Sequence, residues 1–516
     1  MAQLNLKKIT KNPMETLIQP LDDHNQTHLA NVHPPNYQNP IPKNRYHLVI
    51  IGAGPGGLVA AAGAAGIGAK VALIERHLMG GDCLNVGCVP SKGIIRSARA
   101  WHEVNISQRE FGGPFVSGKG DFSKVMEKMR KLRAQLSPVD SVERYQKMGV
   151  DVFIGEGSFS GPEIISVSEA NLNFRRAIIA TGARAAIPDI PGLKESNPLT
   201  NETLFWLTQL PKRMVVIGAG PIGCEMSQTF ARFGSEVIIL EKGHHVLPKE
   251  DQDAAEIVQK ALIQEGVNLE INASIQSVES HGEEKLIYYE KNGQKQILTC
   301  DQILVSAGRL PNVENLNLEK AGIELQKRGI KVNERLQTTN KKVFAIGDVC
   351  SKYQFTHTAD AQARMVIANS LFWGRGKNKN LVIPWCTYTQ PEIAHVGMYE
   401  NEAKNMGFQV DTFTIPFNDL DRAVLDGEEN GFFRIHLRKG SDRILGATLV
   451  AHHAGEMIGE IALAITHKIG LGKIGSTILP YPTQGEIYKK AADAWKRRKL
   501  TPTVAKIFKL FFGLFK

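Results

Sequence analysis

The sequence contains the same local pattern twice. Residues 47–75 read HLVIIGAGPGGLVAAAGAAGIGAKVALIE, and residues 213–241 read RMVVIGAGPIGCEMSQTFARFGSEVIILE. Each copy is an apolar run, a G-x-G-x-x-G turn, a segment of helical length (of small residues in the first copy) and a second apolar run that ends in Glu. This order predicts a strand, a turn, a helix and a second parallel strand, the unit that binds a dinucleotide. Two copies predict two nucleotide-binding domains in an α/β protein.

The glycines and the terminal Glu have physical roles in this unit. A turn without Cβ atoms lets pyrophosphate oxygens approach N–H groups at the helix N-terminus, and the carboxylate accepts hydrogen bonds from ribose hydroxyls. The expected cofactor-binding residues are Gly52, Gly54, Gly57 and Glu75 in the first copy and Gly218, Gly220, Gly223 and Glu241 in the second. Since a carboxylate at Glu241 repels a 2′-phosphate, NADH is favoured, although Lys242, His244 and His245 leave NADPH open.

Composition limits the class of protein. A chain of 516 residues predicts two to four domains, and six cysteines are too few for a disulfide scaffold. The sequence has no 18-residue apolar run and no apolar signal-peptide core, which indicates a cytoplasmic protein. The formal net charge of +10 is concentrated after Ile487, where nine basic residues face one acidic residue. The rest is close to neutral, so nucleic-acid binding is not expected.

The chain ends in a basic and aromatic segment. Thr501 and Pro502 predict a helix N-cap and first turn. On a helical wheel Lys506, Lys509, Gly513 and Lys516 share one side, and the remaining surface is largely apolar. Two interpretations remain: a helix docked on the protein itself, or peripheral contact of residues 502–516 with the inner face of an anionic membrane.

Two cysteines stand four residues apart in GGDCLNVGCVPSK, residues 80–92. A metal clip would need C-x-x-C repeats or nearby histidines, so no metal site is expected, and a structural disulfide is disfavoured in the cytoplasm. A redox pair is the favoured interpretation. The other cysteines, Cys224, Cys300, Cys350 and Cys386, stand singly and are expected to be structural, and His452–His453 is expected to pack at an interface.

At this motif the sequence resembles the class I pyridine nucleotide–disulfide oxidoreductases, which include dihydrolipoamide dehydrogenase, glutathione reductase and mercuric reductase. The resemblance covers about residues 45–498 and is supported by ATGAR (180–184), AGRLPN (307–312), AIGDV (345–349) and YTQPEIAHVG. It implies that the first unit binds FAD, the second binds NAD(P)H, and a C-terminal α+β domain forms a homodimer.

The resemblance also implies roles for individual residues. Cys88 would face the flavin and Cys83 would meet the substrate; Lys92 would lie near flavin N5, paired with Glu225. Asp348 would bind the ribityl chain, and a helix starting near His357 and Ala359 would point at the flavin N1/O2 edge. Further cofactor-binding positions implied by the motifs are Thr181, Gly182 and Gly308.

One position departs from the family pattern. Disulfide-reducing members have a His-Pro pair followed by Glu, donated across the dimer interface as a general acid. Here the sequence is LPYPTQGE, so Tyr481 replaces the histidine and Glu486 is kept. A tyrosine with an ordinary pKa near ~10 is a poor proton donor at neutral pH, which puts lipoamide or glutathione turnover in doubt.

The PY-T sequence and the following KKAADAW resemble mercuric reductase. However, the chain has no cysteine after Cys386 and no N-terminal C-x-x-C module, both of which that enzyme uses for mercury. True mercuric reductase activity is therefore not expected. Tyr481 would either pack at the interface or line a pocket for another oxidant.

These observations predict a domain order and a function. The expected segments are a flexible or surface-wrapping extension (1–44), a FAD-binding domain in two parts (45–190 and 313–383), a NAD(P)-binding domain (191–312), a dimerisation domain (384–500) and a basic amphipathic helix (501–516). Ordered structure is expected to begin near Tyr46. The leading hypothesis is a FAD enzyme that passes electrons from NAD(P)H through Cys83–Cys88 to a small-molecule or protein acceptor, such as a disulfide. Alternatives are a membrane-associated quinone reductase and a redox-regulated subunit of a membrane protein.

Overall fold

Apolar β-branched runs become buried parallel strands, and the segments between them become helices that cover the sheet. The computed structural model describes residues 17–515. The first part contains α1 (Asp23–Val32), β1 (Tyr46–Ile51), α2 (Pro55–Gly66), β2 (Val71–Glu75), α3 (Gly81–Asn85), α4 (Cys88–Glu110), α5 (Phe122–Leu136), α6 (Val142–Lys147), β3 (Asp151–Ile154), β4 (Gly157–Gly161), β5 (Ile164–Val167), β6 (Ala170–Ile179) and β7 (Ala183–Ala185).

The second dinucleotide unit and the segment that follows it come next. The unit contains β8 (Arg213–Ile217), α7 (Pro221–Phe233), β9 (Glu236–Glu241), α8 (Gln252–Gln264), β10 (Asn268–Ile271), β11 (Ala273–His281), β12 (Glu284–Lys291), β13 (Gln294–Cys300), β14 (Gln302–Val305) and β15 (Arg309–Pro311). The following segment contains β16 (Leu325–Gln326), β17 (Gly329–Ile330), β18 (Val343–Ala345) and α9 (Thr356–Leu371).

The C-terminal part is an α+β unit. It contains β19 (Pro384–Thr387), β20 (Glu392–Gly397), α10 (Glu400–Asn405), β21 (Val410–Pro416), α11 (Asp421–Asp426), β22 (Phe432–Arg438), β23 (Ile444–Ala451), α12 (Ala454–Thr466), α13 (Leu471–Ile474), α14 (Glu486–Arg497) and α15 (Pro502–Gly513).

The first sheet places four chain segments at one edge. Its parallel strands lie in the order β3-β2-β1-β6-β18, with the β4–β5 hairpin continuing from β6. β18 returns from far along the chain to pair with β6, so the first domain is completed only after the second unit. Because the carboxyl ends of parallel strands meet at one edge, the turns after β1, β2, β6 and β18 converge there.

Three further sheets of three or more strands build the second unit and the C-terminal unit. The second unit has a parallel sheet in the order β10-β9-β8-β14 beside an antiparallel β11-β12-β13 sheet. The C-terminal unit has an antiparallel sheet in the order β19-β20-β23-β22-β21, covered by α12 and α14. The predicted fold class, two dinucleotide-binding units and a C-terminal α+β domain, is confirmed.

Ordered structure begins earlier than the sequence predicted. Within residues 17–44, the expected extension, α1 is capped by Asp22 and buries Asn25, His28, Leu29 and Val32 against the first domain. The expectation that order begins near Tyr46 is therefore wrong. The sequence did not predict α1 because half of its buried face is polar, so the segment lacks apolar periodicity. The expectation for residues 1–16 lies outside the described residues.

The predicted tail helix is present with the predicted cap. Thr501 accepts a hydrogen bond from the Val504 N–H, and Pro502 is the first helical residue. No residue of α15 is buried, which does not fit the interpretation that it docks on the protein itself. Among residues 17–515, no helix combines the length and apolarity needed to cross a bilayer.

Candidate functional site

The first glycine turn is a cradle in which side chains do not fit. Gly52 has φ +103°, and a Cβ there would lie 2.4 Å from the Ala180 carbonyl oxygen. A Cβ at Gly57 would lie 1.8 Å from the Gly52 oxygen, whereas one at Gly54 would meet only the Gly81 Cα at 3.8 Å. The turn is thus closed on the protein side and open at Gly54, at the N-terminus of α2, where a pyrophosphate fits.

Glu75 fixes this turn from the next strand. Its Oε2 accepts a hydrogen bond from Ala53 N at 2.7 Å, and its Oε1 accepts one from His77 N at 2.8 Å. Burial raises the pKa of this carboxyl, and the backbone hydrogen bonds oppose the shift. A buried carboxylate at the carboxyl end of β2 lies where an adenosine ribose would be bound.

Thr181 and Gly182 follow β6 at the same edge, whereas Gly308 follows β14 of the second sheet. Thr181 donates from its hydroxyl to the Asn312 carbonyl at 2.7 Å, and the Gly182 carbonyl accepts from Asn312 N at 3.0 Å. Gly308 has φ +124° with open space at the Cβ position, and its carbonyl accepts a hydrogen bond from Ala186 N. These contacts join β7 to β15, where the chain passes between the first and second units.

Asp348 is a partly buried carboxylate that follows β18. Burial raises its pKa to about 6, and Arg309, whose Nε lies 3.4 Å from Oδ2, opposes the shift. Its unused lone pairs could accept hydroxyl donors. With the cradle and Glu75, Asp348 gives this edge the donor and acceptor set that fits FAD.

Helix α9 begins beside both the cradle and the thiols. Ala359 is buried against the glycine turn: Cβ atoms added at Gly56 and Gly347 would lie 3.3 Å and 3.4 Å from its Cβ. His357 is exposed and its Nε2 lies 2.7 Å from the Pro384 carbonyl. The sequence therefore predicted this helix start correctly, and the small side chain of Ala359 is what permits the close approach.

The two thiols lie together in a polarised arrangement. Cys83 is on α3, and Cys88 is the first residue of α4. The neighbouring Cys83 thiol is the main cause that lowers the pKa of Cys88 to about 6, with further help from Thr356 and the Lys92 charge. The interaction with Cys88 raises the pKa of Cys83. Since the N-terminus of α4 also favours negative charge, Cys88 is the thiolate of the pair.

Lys92 and Glu225 form an ion pair between two domains. Lys92 Nζ lies 2.8 Å from Glu225 Oε2, and Glu225 is only 6% exposed. Glu225 Oε1 accepts a hydrogen bond from Tyr388 N at 2.9 Å, and the Lys92 ammonium lies 4.5 Å from the Tyr388 ring centroid. Helices α4 and α7 and the C-terminal unit therefore meet here, one helical turn from Cys88.

The second glycine turn repeats the geometry of the first. A Cβ at Gly223 would lie 2.0 Å from the Gly218 oxygen, and one at Gly220 would meet nothing within 4 Å. Glu241 accepts hydrogen bonds from Ala219 N at 2.7 Å and Gly243 N at 2.6 Å. This turn has the features that fit a second dinucleotide, NAD(P)H.

Tyr481 and Glu486 lie apart from the thiols within one chain. Tyr481 is 68% exposed, and its hydroxyl donates to Asp421 Oδ2 at 2.7 Å. This hydrogen bond to a carboxylate raises the pKa of Tyr481. Glu486 is the first residue of α14. In residues 17–515, neither side chain is hydrogen-bonded to Cys83 or Cys88.

The single cysteines and the histidine pair have local partners. Cys224, Cys300 and Cys350 are buried, and burial raises the pKa of each thiol. Cys386 is partly buried with its sulfur 3.8 Å from Glu392 Oε2. His452 pairs with Glu428 and packs against His453, with ring centroids 4.0 Å apart. Their interpretation as structural residues remains a prediction.

Sequence reasoning missed three residues of this site. Thr356 Oγ1 lies 3.4 Å from Cys88 Sγ, Tyr388 covers Lys92, and Asp421 holds Tyr481. Thr356 is the one that sequence could have revealed, because it opens the same helix as His357. The other two contacts form only when distant segments pack.

Comparisons with known proteins agree with this geometry. The profile of the pyridine nucleotide-disulphide oxidoreductases matches residues 46–363, and that of their dimerisation domain matches residues 383–492. A mercuric reductase of Lysinibacillus sphaericus is 35% identical over 88% of this chain and 84% of its own length. A dihydrolipoyl dehydrogenase of Geobacillus stearothermophilus is 34% identical over 86% of this chain and 95% of its own.

A solved structure has the same fold. The HOCl-induced flavoprotein disulfide reductase RclA from Escherichia coli superposes with a TM-score of 0.76 at 26% identity, covering 87% of this chain and 99% of its own. Another structure of RclA is a Cu(II) complex, with a TM-score of 0.76 at 27% identity, covering 86% and 98% of the two chains.

The matches cover both dinucleotide units and the C-terminal domain. The family uses FAD and NAD(P)H, in agreement with the two cradles, and its dimerisation domain supports a homodimer. The predicted family and cofactors are thereby confirmed. The protein belongs to the pyridine nucleotide-disulphide oxidoreductase family.

Proposed function

We propose that the protein uses electrons from NAD(P)H to keep Cys83 and Cys88 reduced, and that this pair reduces a disulfide whose leaving thiolates are weakly basic. The observation that carries the proposal is the placement of Cys88 at the N-terminus of α4, 3.4 Å from the Thr356 hydroxyl and one helical turn from the Lys92–Glu225 ion pair, with Cys83 on the preceding helix. The lowered pKa of Cys88 and the raised pKa of Cys83 agree with this placement. FAD, when bound, relays the electron pair from the nicotinamide to the Cys83–Cys88 disulfide.

The chain's own residues divide the thiol chemistry. Cys83 passes its proton to the Cys88 thiolate and attacks the acceptor, RSSR, forming a mixed disulfide and releasing one thiolate. The proton now on Cys88 passes to solvent, and the released thiolate takes up a proton from solvent after it has left. Cys88 then attacks Cys83, which restores the internal disulfide and releases the second thiolate, protonated by solvent. In total, the dithiol and RSSR become the disulfide and two RSH.

The kind of disulfide that the protein can reduce follows from the weakness of Tyr481 as a proton donor. In the expected homodimer, Tyr481 of a second copy approaches the thiols, but Asp421 raises its pKa and so makes it a poor general acid. A leaving thiolate of low basicity needs no such donor. This supports aromatic or otherwise acidic thiols as leaving groups over lipoamide and glutathione.

An acceptor screen tests this proposal. NADH oxidation would be followed with an aromatic disulfide, glutathione disulfide, lipoamide, quinones and Hg(II), using wild type, Cys83→Ser and Tyr481→His. We expect the aromatic disulfide to have the highest kcat/KM. Tyr481→His should raise turnover of the aliphatic disulfides towards the ~10²-fold that a general acid contributes. Aliphatic disulfides as the best wild-type substrates, or unchanged disulfide turnover in Cys83→Ser, would contradict the proposal.

We propose NADH as the preferred nicotinamide. Glu241 lies at the end of β9 with both oxygens fixed by backbone N–H groups, so its charge cannot swing away from a 2′-phosphate. Exposed Lys242 and His244 lie next to it and would favour the phosphate. The ratio of kcat/KM for NADH and NADPH decides between the two, and a ratio below one would contradict the proposal.

We propose a peripheral membrane contact through α15. Apolar side chains on this helix are exposed: Ile507, Phe508, Leu510, Phe511, Phe512, and beyond it Leu514 and Phe515. Lys506 and Lys509 flank them, and the cluster Lys496–Lys499 precedes the helix. Cations beside an exposed aromatic surface complement an anionic bilayer, at about 1 kcal/mol for each cation near the surface. At 12 residues, the helix lies on a membrane and does not cross it.

Vesicle flotation tests the membrane contact. Full-length protein and a chain ending at Leu500 would be mixed with phosphatidylcholine vesicles, with and without phosphatidylserine. We expect flotation only for the full chain, only with phosphatidylserine, and less at high salt. Equal flotation of both chains would remove the proposal, and a matched variant with Lys506→Glu and Lys509→Glu isolates the charge.

A quinone acceptor is the second candidate function, favoured by the exposed helix and by Tyr481. The two electrons and two protons would then convert a quinone to its quinol without passing through the cysteines. Quinone turnover that survives in Cys83→Ser and rises on vesicles would support this candidate.

A further inference from the structure

Helix α1 contacts the segment that separates the two thiols. Asn85 lies between Cys83 and Cys88, is 3% exposed, and its side-chain Oδ1 lies 2.6 Å from His28 Nε2. His28 is on α1 and is fully buried. The contact joins positions 57 residues apart in the sequence, so it exists only because the N-terminal segment folds back onto the first domain.

The direction of this hydrogen bond is fixed by its surroundings. The Asn85 amide nitrogen donates to the carbonyl oxygens of Met79 at 3.0 Å and Gly81 at 2.8 Å, so Oδ1 must face His28. His28 Nε2 therefore carries the proton and donates it. Burial lowers the pKa of His28 to about 3, with the Arg133 charge as a second cause, so the ring is neutral at neutral pH.

A second path joins α1 to the same residue. Arg133 on α5 donates from Nη1 to the Asn85 carbonyl at 2.6 Å and from Nη2 to Asn25 Oδ1 at 2.8 Å. Asn25 belongs to α1 and also donates to the Pro20 carbonyl at 2.7 Å. Both the side chain and the backbone carbonyl of Asn85 are thus held from the N-terminal segment, directly by His28 and indirectly through Arg133.

We propose that His28 is a positioning residue of the redox site: by holding Asn85, α1 fixes the geometry in which Cys83 and Cys88 face each other as thiols. This inference rests on the proposed function of the pair. In this role the contact, which orients the segment between the two cysteines, favours the dithiol over the disulfide. The N-terminal segment would then set how easily the pair is reduced.

The expected effect can be stated as an equilibrium shift. Without its donor, Asn85 Oδ1 is a buried acceptor with no partner, a defect that commonly shifts an equilibrium by about tenfold. We expect His28→Ala to move the dithiol–disulfide equilibrium about tenfold towards the disulfide, which for a two-electron couple is ~30 mV. The long-wavelength absorbance that reports the Cys88 thiolate beside the flavin should weaken in parallel.

The test uses FAD-loaded protein equilibrated in thiol–disulfide buffers, with the fraction of free Cys83 and Cys88 read by alkylation and mass spectrometry. Leu29→Ala is the matched control, because Leu29 is buried on the same helix and packs in the apolar core. His28→Gln retains a donor and should restore the wild-type equilibrium, whereas His28→Met fills a similar volume without one. If His28→Ala does not fold, the comparison of His28→Gln with His28→Met still shows whether the donor at this position sets the dithiol–disulfide equilibrium.

The outcomes separate this inference from the proposed function. A shift in His28→Ala or His28→Met, absent in Leu29→Ala and His28→Gln, supports the positioning role. The positioning role is overturned if the dithiol–disulfide equilibrium is the same in all variants, or if Leu29→Ala shifts it as much as His28→Ala does. If the wild-type cysteines do not titrate as a two-electron pair at all, the proposed function itself fails.

Discussion

The ion pair between Lys92 and Glu225 predicts opposite effects of two substitutions that break the same contact. Lys92→Met removes the cation, and Glu225→Gln removes the anion while keeping a similar shape. Besides the Cys83 thiol, the Lys92 charge helps to lower the pKa of Cys88, and the Glu225 charge acts in the other direction. Lys92→Met should therefore raise the pKa of Cys88, and Glu225→Gln should lower it.

The size of the pKa change expected for Lys92→Met follows from the distance between Cys88 and Lys92 on α4. Cys88 and Lys92 are four residues apart on α4, which places the side chains about 6 Å apart. At an effective dielectric constant near 20, a unit charge at that distance is worth about 3 kcal/mol, or about 2 pKa units. Because Lys92 is 39% exposed, solvent reduces this to about one unit. Glu225 contacts Lys92, so we expect a smaller shift from its removal.

The assay is a pH titration of the thiolate-to-flavin charge-transfer band in the FAD-loaded dithiol enzyme. The thiolate is present above the pKa of Cys88, so the wild-type band should disappear as the pH falls through about 6. The midpoint should move up in Lys92→Met and down in Glu225→Gln. Cys88→Ser, which should have no band, is the control. Midpoints that move in the same direction in both variants would refute the electrostatic explanation.

Three further predictions concern other parts of the site. Thr356→Val should raise the pKa of Cys88, measured by the same titration, because Oγ1 lies 3.4 Å from the sulfur, whereas Thr356→Ser should not. Gly223→Ala should lower the melting temperature because its Cβ would lie 2.0 Å from a carbonyl oxygen; Gly220→Ala should leave the melting temperature near wild type but raise the Kd for NADH in a fluorescence titration. Removal of residues 501–516 should change the free energy of unfolding by no more than about 0.5 kcal/mol, because α15 buries no side chain. A larger loss of unfolding free energy would show that the helix docks on the protein.

Much of the nucleotide-binding architecture could be predicted because its signals are local. Each glycine turn combines a strand, a turn and a helix within thirty residues, and the requirement for glycine arises from contacts inside the unit, such as Gly57 against the Gly52 carbonyl. Glu75 and Glu241 end the next strand in both copies. These features depend little on the rest of the chain, so a sequence pattern captures them.

The contacts that complete the site depend on packing between distant segments. Glu225 meets Tyr388, 163 residues away, and Tyr481 meets Asp421, 60 residues away. Neither contact leaves a periodic signal. Helix α1 is harder still, because Asn25 and His28 are buried by hydrogen bonds to Arg133 and Asn85, and polar residues in a short helix look like surface.

The packing of α1 also has a consequence for the order of folding during synthesis. The partners of this helix and of the segment after it lie downstream: Asn85, Arg133 and, for Tyr37, the Val152 carbonyl 115 residues later. The N-terminal segment therefore leaves the ribosome long before any of its binding surface exists, and it can dock only when the first sheet has formed. Residues 22–37 are therefore placed after the downstream segments that they contact, and with them the support behind Asn85.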